Sequence, residues 1–462
     1  MRTIQFSEIY RKLGKDDSLI SLIGNQKQLI RNLQNQIMAL DEISDGETAQ
    51  ISALEGQLFR ESRRLDFLTD SAKNIDRYRN LLDYELKVNL KELQQGLGDD
   101  QVIVEYLLGS DESATSGNIY IFVITGEGLY CKTLENQQEV LLQANWYIDQ
   151  LRQYQPGSFN YLQYDSLTLA VHSLYRSLIY PVEEWLDASE LVLIPDEFLY
   201  FLPFESLIKR LPSTEMINFS SLDYLLHHYA FSISYSAPLW MRNAPCQRGP
   251  LEVLAFAPYS PGESVKNQSA IALPGSIEEL EFLEKYLPGR YFKGKEVSKE
   301  KLESLVQSDE ALLHIASHAA SGKKRGGGYI LLGGEDTTAG NSRWYEYEIT
   351  SLDLTSSMVN LSACNTGSGV ISEGEGIFSI GRSFMQAGAP SVLFTLWDIN
   401  DKGSMLLMQN FYLELKKGEK LNYSLKTAKL QYLENAPTYM GHPYYWAGYQ
   451  LAGDVEAYKQ TV

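Results

Sequence analysis

The chain has 462 residues, 44% of them hydrophobic, which suffices for one large core or two ordinary ones and excludes a disordered, low-complexity chain. Asp and Glu number 59 against 40 Lys and Arg, a net charge of −19, so neither nucleic acid nor an anionic membrane is an expected partner, the run Lys323 to Arg325 being a local exception. Three scattered cysteines, Cys131, Cys246 and Cys364, make neither a disulfide framework nor a zinc site, which points to a reducing, cytoplasmic setting.

The first residues hold no continuous apolar stretch, so no secretory signal is expected. The most apolar later run, Leu191 to Ile208, contains Asp196, Glu197 and Glu205 and reads as a buried strand and turn, not a membrane span. Leu22, Leu29, Leu33, Ile37 and Leu40 recur at helical spacing; after a break near Ser44 to Glu47, so do Leu54, Leu58, Leu65, Leu68, Ala72, Ile75, Leu82, Leu86 and Leu93. Two amphipathic helices folded into a hairpin account for this spacing, so residues 1–96 are expected to be a helical hairpin, either a simple packed pair or a regulatory or interaction arm. No repeat of tetratricopeptide length is visible.

From Gly98 the pattern changes to strands, at Val102 to Leu108, Ile119 to Thr125 and Leu129 to Leu134, followed by helices at Gln137 to Tyr154 and Leu167 to Trp185 and a strand at Leu191 to Pro195. A second series has strands at Leu251 to Ala257, Leu312 to Ala316, Tyr329 to Leu332, Met358 to Leu361 and Ser391 to Trp397, with helices at Ser276 to Tyr286 and Ser298 to Ser308. Alternating strands and helices predict an α/β fold, a mostly parallel sheet flanked by helices on both faces. Residues 97–462 are read as one domain in two halves, 97–250 and 251–462, of which the second holds the candidate chemistry and the first does not.

The candidate chemistry lies in the second half. Met358 to Leu361, a Gly-rich turn, a helix near Glu375 to Ala387 and Ser391 to Trp397 make a βαβ unit with parallel strands. Reactive groups in such sheets gather beyond the carboxyl ends of the strands, where Cys364 and Asp398 fall. A thiol needs a base to become the nucleophilic thiolate. His318, leaving the run Ala311 to Ala316, supplies one if that run is also parallel. It precedes Cys364 by 46 residues, close to the roughly 50 between a caspase histidine and its cysteine.

The ordered blocks HIASHA, LSACNTG, GEGIFSIGRSFMQAGAPSVLFTLWDIND and HPYYWAGYQLAG, with KELQQGLGDDQVIVEYLLG and LVLIPDEFLYFLPFESL upstream, resemble the CHAT domain, a caspase-like and separase-like family of clan CD cysteine peptidases, from about Leu97 to Gly453. The resemblance implies a caspase-like fold and an endopeptidase with a His318–Cys364 dyad that needs no metal or organic cofactor. The backbone N–H groups of Cys364 and Ala319 would line the oxyanion hole. LWDINDKGS is similar to the separase block that helps form the S1 pocket, implying Trp397, Asp398 and Asp401 there; a carboxylate would favour Arg or Lys. The implied partners are a protein substrate and an activator or other protein on the N-terminal helices, and bacterial relatives are associated with defence or cell death. One departure stands out: the family usually has Gly where this chain has Ala319, which would be strained if φ there exceeds zero. It keeps open an inactive caspase-like scaffold acting as a protein-interaction module.

Simpler readings accompany several of these residues. Asp398 or Asp401 can cap the helix beginning near Lys402, and His314, inside an apolar run, reads as a hydrogen-bonded core residue. Gly367, Gly369, Gly374 and Gly376 do not form G-x-G-x-x-G, and Glu373 and Glu375 would repel a pyrophosphate at a helix start.

Overall fold

The computed structural model describes residues 48–73, 89–109, 117–155, 160–213, 216–242, 248–258, 274–307, 311–320, 328–332, 343–363, 370–372, 376–399 and 401–460, with scattered helical positions between 22 and 37. The first half contributes β1 (Gln101–Leu108), β2 (Ile119–Ile124), β3 (Leu129–Leu134), β4 (Glu190–Ile194) and β5 (Ala230–Ile233). The second contributes β6 (Val253–Ala257), β7 (Gly289–Lys293), β8 (Leu312–Ser317), β9 (Ala319–Ala320), β10 (Tyr329–Leu331), β11 (Arg343–Tyr345), β12 (Met358–Ala363), β13 (Val370–Ser372), β14 (Gly376–Phe378), β15 (Ser391–Thr395) and β16 (Tyr449–Gly453).

Among the described residues eleven strands form one sheet in the order β3-β2-β1-β4-β5-β16-β15-β12-β8-β6-β7. The neighbours β1–β4, β4–β5, β6–β7, β6–β8, β8–β12 and β12–β15 are parallel, while β1–β2, β2–β3 and β15–β16 are antiparallel. β16 meets β5 at a single bridge, Ala452 to Ile233, and so joins the halves into one sheet. The middle strands are buried along their whole length, β4, β5, β6, β8 and β15 without interruption, as expected where helices cover both faces. Tyr412 from the helix Asp401–Lys416 and Glu279 from Pro274–Tyr286 reach one face, while Gly381 in the helix Ile380–Gln386 abuts the Phe394 ring on the other. The fold is α/β, with a mostly parallel sheet flanked by helices.

Ahead of the sheet, the helix Thr48–Lys73 and the helical positions before it meet where Gln26 Nε2 donates to the Glu61 carboxylate at 2.7 Å and to its carbonyl at 3.0 Å. The expected turn at Ser44 to Glu47 lies outside the described residues, as do Cys246, Cys364 and Lys323 to Arg325. The helix Leu90–Gly96 docks on the sheet, burying Leu93 against Ile103, Ile124, Val192 and Ile194. No helix among the described residues is long and apolar enough to cross a membrane.

Some elements differ from expectation. The Tyr329 to Leu332 run joins β9 and β11 in a separate antiparallel sheet instead of the main one. β9 begins one residue after β8 ends, so the returning chain pairs with that extension in the antiparallel sense. The helix expected from Glu375 starts at Ile380, after the hairpin of β13 and β14, because Ser379 is its cap and accepts the Arg382 N–H. The helix expected from Leu167 to Trp185 is Tyr161–Leu178, started by a capping box of Asn160 and Gln163, and its last turn passes into the 3-10 helix Tyr180–Trp185, with Pro181 near its start. β16, within the HPYYWAGYQLAG block, was not expected as a strand.

Candidate functional site

β8 and β12 lie side by side and run parallel through six consecutive pairs, from Leu312 opposite Met358 to Ser317 opposite Ala363. The residues next in sequence after the last pair are His318 and Cys364, the latter outside the described residues. The His318 carbonyl accepts the Leu331 N–H at 2.8 Å, and the Ser317 hydroxyl donates to the Leu331 carbonyl, so the exit of β8 is pinned to β10. Ala319 opens β9 opposite Ile330. Among the described residues the one non-glycine with positive φ is Glu197, so Ala319 holds its place without left-handed strain.

β15 is the other parallel neighbour of β12, with Val359 opposite Val392. Its continuation carries the three S1 candidates. Trp397 is buried, its indole N–H donates to the Tyr444 carbonyl at 3.0 Å, and Gly448 lies so close that an added Cβ would meet the ring at 3.0 Å. HPYYWAG therefore packs against the end of β15. Asp398 is exposed, yet partial desolvation pushes its carboxyl above the usual range, while interaction with His318 pulls it back. That interaction links groups 80 positions apart in sequence. The sequence had suggested no acidic partner for His318; Asp398 entered only as a pocket or capping residue. Asp401 is the first residue of its helix, which starts one residue earlier than expected.

A buried polar group lies behind the two strand exits. His314 on β8 stands opposite Asn360 on β12. Both contact the Tyr412 hydroxyl, His314 Nδ1 at 2.8 Å and Asn360 Nδ2 at 2.9 Å. Glu279, 3% exposed, accepts the Ser362 hydroxyl at 2.9 Å and lies 3.5 Å from His314 Nε2. Burial drives the His314 pKa down to about 3, so the ring is neutral at ordinary pH. The sequence signal for Glu279 is faint but legible: it sits one residue before Leu280 on a stripe continuing through Leu283 and Leu287, where a carboxylate is out of place. Among the described residues no group of three or more His, Cys, Asp or Glu could hold a metal.

Comparison with known proteins adds the family. Mouse (Mus musculus) tetratricopeptide repeat protein 28 is 30% identical over 106 residues, 23% of this chain and 4% of that protein. The human (Homo sapiens) protein of that name is 32% identical over 79 residues, 17% of this chain and 3% of that protein. The match thus spans only a small part of these relatives' length. Among solved structures, the Saccharomyces cerevisiae separase–securin complex aligns at 12% identity over 94% of this chain and 28% of that chain, with a TM-score of 0.37. The Arg-specific cysteine proteinase gingipain R aligns at 10% identity over 68% of this chain and 74% of that chain, with a TM-score of 0.39. The CHAT domain family matches residues 169–454, more than half of the sequence and every strand from β4 to β16, and the chain belongs to that family.

Proposed function

We propose that the chain is a cysteine endopeptidase acting on a protein substrate through His318 and Cys364. The observation that carries this reading is the level ending of β8 and β12 at Ser317 and Ala363, each followed in sequence by one of the two groups that thiol catalysis needs. In this reading His318 takes the thiol proton and the thiolate Sγ adds to the peptide carbonyl carbon. The N–H groups of Cys364 and Ala319 hold the oxyanion. The imidazolium returns its proton to the leaving amine as the C–N bond breaks; water, deprotonated by His318, then releases the acyl group and restores the thiol. Asp398, whose carboxyl interacts electrostatically with His318, would be the acidic neighbour of the pair. The same carboxylate, with Asp401 and Trp397, would select Arg or Lys ahead of the scissile bond. The N-terminal helices would engage an activator or present the substrate, and the resemblance to bacterial CHAT peptidases points to a defence or cell-death pathway.

A peptide-like electrophile tests the central claim. It should label one thiol per chain, the label should vanish in Cys364→Ala, and peptide hydrolysis should fall at least about a thousandfold in Cys364→Ala or His318→Ala. Labelling of Cys131 or Cys246 instead, with no cleavage by the unmodified chain, would make the protein a scaffold. A peptide library reports the pocket: a preference for Leu, Met or Asp, or a basic preference surviving both Asp398→Ala and Asp401→Ala, assigns those carboxylates to structure. Deleting residues 1–90 should spare peptide cleavage and change the rate on the protein substrate.

A further inference from the structure

We infer that Glu279 is a positioning residue for the His318–Cys364 pair, acting from behind the sheet through Ser362 and His314; this rests on the peptidase reading above. The polarity of the links follows from the acceptors at either end. The Asn360 amide nitrogen can only donate, so the Tyr412 oxygen accepts from it. A carboxylate facing His314 Nε2 favours the ring proton there, which leaves Nδ1 to accept the Tyr412 hydroxyl. A neutral imidazole that accepts at Nδ1 carries its proton on Nε2, the atom facing the Glu279 carboxylate. From the other side, the Ser362 hydroxyl donates to the second oxygen of the same carboxylate. Two lines of donors, one from each strand, therefore converge on Glu279.

The placement matters as much as the polarity. Ser362 lies two residues before Cys364 in sequence and His314 four before His318, so each anchors the strand that leads into one of the pair. Tyr412 belongs to the helix that begins three residues after Asp398. Glu279 thus ties together the exits of β8 and β12, and through Tyr412 the segment after β15. At 3.5 Å the contact with His314 is too long for a full hydrogen bond, so the firm anchor is Ser362. Burying a carboxylate, an imidazole, an amide and a phenol between apolar strands is costly for a fold that needs only packing. Holding the dyad at one separation accounts for the cost, because a displacement of about 1 Å at a reacting group can lower a rate about a hundredfold.

Glu279→Gln keeps the shape but sets an amide N–H against either the Ser362 hydroxyl or His314 Nε2. In the full chain we expect kcat on a peptide substrate to fall about tenfold with KM unchanged. Ser362→Ala, which removes one hydroxyl and should fold, is expected to show a similar loss. The double variant should be no worse than the poorer single one, since both act through one link. Unchanged kcat in a folded Glu279→Gln or Ser362→Ala variant, a loss confined to KM, or additive losses in the double variant would overturn the inference while leaving the peptidase standing. A wild-type chain that neither cleaves peptides nor takes a label on Cys364 would overturn both.

Discussion

β4 and β12 hold comparable positions, each flanked by parallel neighbours on both sides, and differ in the side chains they bury and in the residues at their exits. After Glu190 at its edge, β4 is apolar throughout, Leu191 to Ile194, and leads into Pro195 and Asp196. The Asp196 carboxylate accepts the Leu108 N–H at 2.9 Å, so it is used to close the end of β1. β12 carries Asn360 and Ser362 inside the sheet and leads into Cys364; β8 carries His314 and Ser317 and leads into His318. An apolar strand whose exit residue is engaged by the backbone is architecture. Polar groups gathered behind the exits of two paired strands mark the place where geometry is being held.

The largest effect expected from testing that contrast lies between the halves. Lys429, fully buried, donates to the Glu205 carboxylate and, at 2.6 Å, to the Tyr449 carbonyl, joining the first half to β16. Burial pushes Glu205 up and Lys429 down, and their mutual attraction opposes both shifts. Lys429→Met leaves Glu205 buried without its cation and should cost about 3–5 kcal/mol in chemical denaturation. A loss near zero would mean that packing alone joins the halves.

Acid should weaken the fold through two buried histidines of the second half, His314 behind the strand exits and His442 at the contact with the first half. Burial lowers His314 and His442 to about 3, below the ordinary 6.5. The unfolded chain takes up protons below pH 6.5 while the folded chain does not until about pH 3, so stability falls as pH drops through that window. Each histidine contributes about 1.4 kcal/mol per pH unit. Between about pH 6.5 and 5, His314→Gln should remove about that much of the slope. His442, packed against Tyr154 and Phe219 of the first half, contributes a further part of the slope in the same direction, as does His227, which burial also lowers.

A smaller gain is expected at the exit of β4. Glu197 has φ of +43°, a region that costs an L residue about 1–2 kcal/mol and glycine little. Glu197→Gly, after the entropy glycine loses on folding, should raise stability by up to about 1 kcal/mol without changing catalysis. The smallest effect belongs to Asp398. Its raised pKa means that its charge opposes folding above the ordinary carboxyl range, so Asp398→Asn should stabilise slightly at about pH 7 and not at all below about pH 3.8. If catalysis falls as stability rises, Asp398 belongs with the site, unlike Asp196.

The sequence determined the fold class, because apolar runs such as Leu191 to Ile194 and Val392 to Phe394, separated by helical periodicity, are buried on both faces in a covered parallel sheet. It also singled out His318, Cys364 and Asp398 as candidates, since each stands within three residues of the end of an apolar run and a strand's exit is a local property. Tertiary structure decided what no periodicity encodes. The segments leading into His318 and Cys364, 46 positions apart in sequence, become neighbouring strands through the register of β8 and β12, a property of two segments at once. Glu279, 83 residues before Ser362 along the chain, reaches it only after a helix has packed on the sheet. The start of the helix at Ile380 and the diversion of Tyr329 to Leu331 into a second sheet were likewise set by a cap and a neighbour, interactions that exist only once the chain has folded back on itself.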